Sequence, residues 1–133
     1  MTWLYNGEPF TDPGGNYGFV YVIHNKINGR KYIGKKFFWT AKRKQVNKVR
    51  KRYKVESDWQ NYWSSSEELK KDVELLGKEN FTREIIHLCG SKGVTNYLEA
   101  KEQFVNAVLE NKDIWYNTWI MVRVNASHLN KLK

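Results

Sequence analysis

Apolar and polar positions alternate with different periods along this chain, and each period predicts an element. Residues 19–24 form a continuous β-branched and aromatic run, which predicts a strand. Asn28-Gly29 follows, a strong short hairpin signal, and 30–35 predicts the returning strand. A symmetric loop around Asn28-Gly29 pairs Asn25 with Tyr32 and Tyr21 with Lys36. Strand parity then puts Tyr21, Tyr32 and Lys36 on one face, with the two tyrosines offset by on the order of 13 Å and not required to touch. Residues 40–55 show no clean period and read as a mixed helix-and-loop insertion. A helix is predicted from Ser64-Ser65-Ser66, with Ser65 and Glu68 at capping-box spacing. Leu69, Val73 and Leu76 form its stripe and Gly77 its C-cap. Residues 82–89 predict a third strand. Thr95 can cap a second helix over 96–109, and 119–124 is a further strand-like run.

The order ββ-α-β-α predicts one small α/β domain, consistent with 133 residues. Turn formers make 1–16 an arm, 17–118 the domain with a basic insertion at about 40–56, and 119–133 a strand and polar tail. No apolar run approaches the length of a membrane span and no signal segment opens the chain. The single cysteine, Cys89, excludes an intramolecular disulfide framework and a cysteine-based zinc site, so the expected compartment is the reducing cytoplasm.

Net charge is +9, but its distribution matters more. Residues 13–55 contain no acid and thirteen bases, while the flanking segments each sum to −2. Aromatics at 32, 37, 38, 39 and 53 are interleaved with those bases. Cations that replace condensed counterions, beside rings that stack on bases, point to nucleic acid. Lys35, Lys36, Lys42, Lys44, Lys48, Arg50, Lys51, Arg52 and Lys54 are the candidate contacts. A solvated basic face, or a site for an acidic protein or anionic lipid, is the competing reading.

On the second predicted helix, Tyr97, Leu98, Ala100, Phe104, Val105, Val108 and Leu109 fall on one broad face at 100° per residue. Glu102 lies at the edge of that face, and Glu99 and Asn106 point further out. A rim carboxylate wants a cation or a metal, although a helical Glu is more commonly solvated and paired with a neighbour such as Lys101. His24, His87 and His128 have no ligand-like spacing. Glu99-Ala100-Lys101 matches an acid-x-Lys half-motif of another nuclease class but lacks its preceding Pro-Asp strand.

Gly18-Phe19-Val20-Tyr21 followed by Tyr32-Ile33-Gly34-Lys35 resembles the signature of the GIY-YIG nuclease superfamily, with the opening Gly of the first triplet replaced by Phe19. The stretch 75–86, with Gly77-Lys78-Glu79-Asn80-Phe81 at its centre, is similar to the helix-to-strand junction of freestanding phage and homing members. Glu102-Gln103-Phe104 resembles their metal-binding helix, and Tyr116-Asn117 their closing pair. The resemblance implies an α+β fold with a small central antiparallel three-stranded sheet flanked by helices. It also implies endonucleolytic hydrolysis of DNA with Mg²⁺ or Mn²⁺, in the host cytoplasm if the chain is phage-encoded. Carried over, Tyr21 and Tyr32 would lie in the active site, one helping to deprotonate the attacking water. Glu102 would hold the metal and Asn117 would support the site. The family's Arg falls at Lys42, so Arg43 is assigned that role with a one-residue shift, Arg being the better phosphate clamp. The family's downstream His has no counterpart in 58–66, where Tyr62 is the substitute. A non-catalytic nucleic-acid-binding module that kept the fold is the alternative. Double-strand cutting would favour a homodimer.

Overall fold

The structure is a computed structural model that describes residues 2–46 and 49–130, with the side chains of 42–53 outside the described set. A hairpin of β1 (Leu4–Tyr5) and β2 (Glu8–Pro9) opens the chain. Then come β3 (Gly18–Asn25), β4 (Lys31–Phe37), β5 (Trp39–Val46), β6 (Val49–Glu56), α1 (Glu67–Leu76), β7 (Phe81–Cys89) and α2 (Lys92–Val105). The main sheet has five strands in the order β2-β1-β7-β3-β4, and β5 and β6 form a separate two-stranded ribbon. The fold is α+β, as expected, but the sheet is larger than three strands. Its antiparallel centre, β7-β3-β4, is extended by β1 running parallel to β7.

That extension removes the expected arm. Trp3 is buried, donates its indole N–H to the Trp59 carbonyl at 2.7 Å, and packs edge-on against Phe19 and Tyr21, each at 5.0 Å. Burying an indole of this size with its donor satisfied outweighs the turn chemistry around it. The ribbon is a second correction: 40–55 is a β-hairpin, not helix and loop. Its register runs from Trp39 opposite Glu56 to Val46 opposite Val49. At the other end, 119–124 forms no strand.

Each face of the sheet carries a helix. On one, Leu69 and Val73 of α1 join Trp3, Phe19, Tyr21, Phe38, Trp59 and Phe81. On the other, Val94 of α2 joins Val20, Ile33, Cys89, Val108 and Trp115. Between Trp3 and Trp63, at 4.5 and 4.4 Å from the ring centres, sits the Arg83 guanidinium; burial pulls its pKa down to about 10. Ser66, rather than Ser65, caps α1 by accepting from Leu69 N. Ser91, not Thr95, caps α2, so this helix starts and ends four residues earlier than expected. Among the described residues no helix is long and apolar enough to cross a membrane.

The β3–β4 register differs from the symmetric-loop expectation by two residues. Tyr21 lies opposite Gly34 and Ile23 opposite Tyr32. The reason is Asn25, whose buried carboxamide oxygen accepts from Ile27 N at 2.9 Å while its carbonyl accepts from Gly29 N at 2.8 Å. The turn therefore spans four residues and closes on Gly29 at φ +78°. Two residues of slip preserve parity, so Tyr21, Tyr32 and Lys36 keep their common face. They also bring the tyrosine rings into contact, at 6.2 Å between centres.

Candidate active site

Strand β4 is the edge of the main sheet, and the segment after α2 covers only part of that edge. Lys31 exchanges backbone hydrogen bonds with this segment, donating to Ile114 O at 2.7 Å and accepting from Tyr116 N at 2.8 Å. At Ile33 the carboxamide of Asn117 takes over, accepting from Ile33 N at 3.1 Å and donating to Ile33 O at 2.8 Å. A side-chain amide here imitates the peptide of a missing neighbouring strand. Gln103 Nε2 adds a second bond to Ile33 O at 2.9 Å. Beyond Ile33 the edge opens into a cavity of about 460 Å³.

This cavity draws on both faces of the sheet. Tyr21, Tyr32, Tyr62 and the N-terminus of α1 line it from one side, and Lys35, Glu99 and Gln103 from the other, with Asn117, Trp119 and Met121 at the back and rim. Gly34 makes the junction possible: a Cβ there would lie 2.5 Å from the Tyr21 hydroxyl. Glu99 is only 13% exposed at its side chain and ion-pairs with Lys35 at 3.4 Å. Burial raises the Glu99 pKa above the usual carboxylate range, against the pull of Lys35. Burial also pushes the Tyr21 phenol well above its ordinary value, helped by Tyr32, Tyr62 and Glu99 around it. Tyr32 is raised for the same first reason, partly offset by its hydrogen bond to Ser65 Oγ at 3.2 Å. Both phenols are therefore neutral at pH 7 in the metal-free protein.

The family model for "Putative endonuclease segE, GIY-YIG domain" matches residues 3–120. This chain belongs to the GIY-YIG family. No curated protein and no solved structure matches it. Membership places it among endonuclease domains, whose substrate is nucleic acid. The match begins at Trp3, in keeping with an N-terminal hairpin that is part of the GIY-YIG domain.

Within this GIY-YIG domain Tyr21, Tyr32, Lys35 and Asn117 line one cavity. Glu102 does not join them. Its carboxylate accepts from His87 Nε2 at 2.7 Å and from Asn106 Nδ2 at 3.3 Å, in a hollow on the α2 face with Lys31 and Trp115. The expected apolar face of α2 included Phe104, Val105 and Leu109, yet all three are exposed; the helix ends at Val105 and the chain turns at Ala107, φ 52°, which carries Leu109 off the helix. Ala100 and Val108 of that face are buried, and so are the polar Thr95 and Gln103. Glu99 sits midway between them at i+4 and i−4, so it shares their side. The legible signal was that stripe of polar residues at spacing four.

Lys36 lies outside the cavity, paired with Asp58 at 2.7 Å and stacked over Tyr62 at 4.2 Å. Tyr62 does enter the site, its ring edge-on to Tyr21 at 6.2 Å. Lys54 is exposed at the base of the ribbon, near Tyr17 and Trp39. The side chains of Lys42, Arg43, Lys44, Lys48, Arg50, Lys51 and Arg52 lie outside the described residues. The backbones of all but Lys48 are in the β5–β6 ribbon.

Proposed function

We propose that the chain is a divalent-metal-dependent endonuclease that hydrolyses DNA phosphodiester bonds, with Glu99 rather than Glu102 as its metal-binding carboxylate. The observation that carries this reading is the half-buried Glu99–Lys35 pair in the same cavity as both signature tyrosines. The donor set fits a hard cation such as Mg²⁺ or Mn²⁺. Glu99 offers a carboxylate, and Gln103 Oε1 is a buried amide oxygen with no hydrogen-bond partner. Mg²⁺ keeps several waters and needs few protein ligands, so one carboxylate is enough, even though no cluster of three or more acidic, His or Cys ligands occurs among the described residues. A bound cation would neutralise charge developing on the phosphate and leaving oxygen.

The chain's own groups then have separable tasks. Lys35, paired with Glu99 here, would offer its ammonium to a phosphate oxygen. Tyr32, the phenol that reaches solvent and is held by Ser65, orients the attacking water and takes its proton as cationic surroundings lower its pKa. Tyr21 is buried over Gly34 and fixes the position of Tyr32 through ring contact. Asn117 holds Ile33, and through it the start of the Gly34-Lys35 segment. Arg43 is the proposed phosphate clamp from the ribbon. The ribbon spans 39–56 with eight Lys and Arg against one Glu, and is the proposed DNA-docking element.

A second reading has one observation in its favour: among the described residues that line the cavity there is neither Arg nor His. A binding module that kept the fold without the chemistry would look like this. Plasmid cleavage in Mg²⁺ or Mn²⁺, with and without chelator, separates the two. Product from the wild type that disappears with chelator and in Glu99→Ala, but persists in Glu102→Ala, is the expected result. A mobility shift without product supports the module.

A further inference from the structure

We propose that Trp119, with Met121 beside it, is a stacking platform for the nucleobase next to the phosphate held in the cavity. This rests on the nuclease reading and deepens it by naming how the substrate is gripped. Trp119 is 64% exposed and Met121 57% exposed, and both form the rim of the cavity that holds Glu99 and Lys35. Ile120, between them, packs onto the core under α2. Two residues upstream, Asn117 is bound to Ile33 through both ends of its carboxamide. The chain is thus anchored on either side of Trp119, and alternate side chains point out toward the cavity mouth.

An exposed indole loses the hydrophobic gain of burial, and a single one needs no explanation. Here two apolar side chains rim a cavity that the nuclease reading gives to a phosphate, lined by Lys35 together with Glu67, Glu68 and Glu99, on a chain of net charge +9. The group adjoining a phosphate in a nucleic acid, and able to cover an indole, is a base. Stacking on a Trp ring is sequence-tolerant because every base has a π-face, and an unbranched apolar side chain such as Met can wedge beside an unstacked step.

The test compares wild type, Trp119→Leu and Trp119→Phe for binding to a short fluorescein-labelled single strand and the corresponding duplex, in chelator, by anisotropy across a salt series. Leu keeps apolar bulk without a π-face, which keeps the test interpretable; thermal unfolding checks that each variant is folded. Trp119→Leu is expected to bind about tenfold more weakly and Trp119→Phe to recover most of that loss. The salt slope should not change, because no phosphate contact is removed. Equal affinity of the Leu variant and wild type overturns the platform, as does a sedimentation result in which wild type is a dimer and the Leu variant a monomer, since the rim is then covered by a second copy. A wild type that binds with this Trp119 dependence but never cuts overturns the nuclease reading alone. A wild type that binds neither probe overturns both.

Discussion

The Glu99 carboxylate and the Lys35 ammonium meet at 3.4 Å across the open edge of β4, one from the helix on one face of the sheet and the other from the edge strand itself. Neither is fully hydrated, and the carboxylate is destabilised by burial more than the lysine relieves. Under the proposed reading, Glu99 would be the carboxylate that holds a divalent cation and Lys35 the ammonium that meets a phosphate oxygen.

Removing Glu99 should therefore separate function from stability. Glu99→Gln is expected to lower metal-dependent cleavage by at least about a hundredfold, and to abolish the heat of Mn²⁺ binding measured by calorimetry. Glu102→Gln should stay within about threefold of wild type in both, because it touches His87 and Asn106 only.

The same substitution should stabilise the metal-free protein at neutral pH. The Glu99 pKa is raised on folding, so the folded state holds this proton more tightly than the unfolded chain. Its stability contribution is complete below the ordinary carboxylate range and is lost as pH rises through the folded value. Thermal melts should show Glu99→Gln above wild type by about a few degrees at pH 7, with the gap closing toward pH 4. A wild type that melts higher than the variant at pH 7 would refute this.

Gly34→Ala is expected to cost about 1–3 kcal/mol in denaturant unfolding, since its Cβ would lie 2.5 Å from the Tyr21 hydroxyl and 2.7 Å from its ring. Tyr21→Phe removes only the oxygen and should not restore stability in the double variant, because the Cζ contact remains. Tyr21→Leu should restore part of it.

Tyr116 donates to Asp72 Oδ2 at 2.6 Å and accepts from Asn25 Nδ2 at 2.9 Å, tying α1, the β3–β4 turn and the segment along the sheet edge together. Tyr116→Phe should destabilise by about 1–2 kcal/mol. It should also lower cleavage by loosening Asn117 next door, with metal affinity unchanged.

In the ribbon, each Lys or Arg that contacts phosphate should, when replaced by Ala, reduce the slope of log affinity against log salt by about 0.9. Replacing 41–54 with a short turn should remove most of the salt dependence. A slope unchanged by that deletion would place the phosphate contacts elsewhere.

What the sequence determined by itself is what local chemistry and parity dictate. The run 19–24, a reversal containing Asn28-Gly29, the Ser-rich helix start and the strand at 82–89 all formed, because propensity, capping and pattern agree there. The common face of Tyr21, Tyr32 and Lys36 survived a two-residue register change because a slip of two leaves every side chain on its own side. Tertiary structure decided the rest. Trp3 turned an apparent arm into a sheet strand because a large apolar surface found a core that local patterning does not show. The ribbon became strands because backbone pairing between its two halves is a non-local gain, invisible in a charge-rich stretch without period. Which of Glu99 and Glu102 meets Lys35 depended on how α2 packs against the sheet. Leu98, Ala100 and Val108 of the expected face pack inward, but Phe104 and Val105 do not, and Thr95 and Gln103 are buried beside them. Glu99 and Glu102 are i,i+3 neighbours on α2, so the pattern does not separate them, and only the packed sheet edge puts Lys35 beside the first and His87 beside the second.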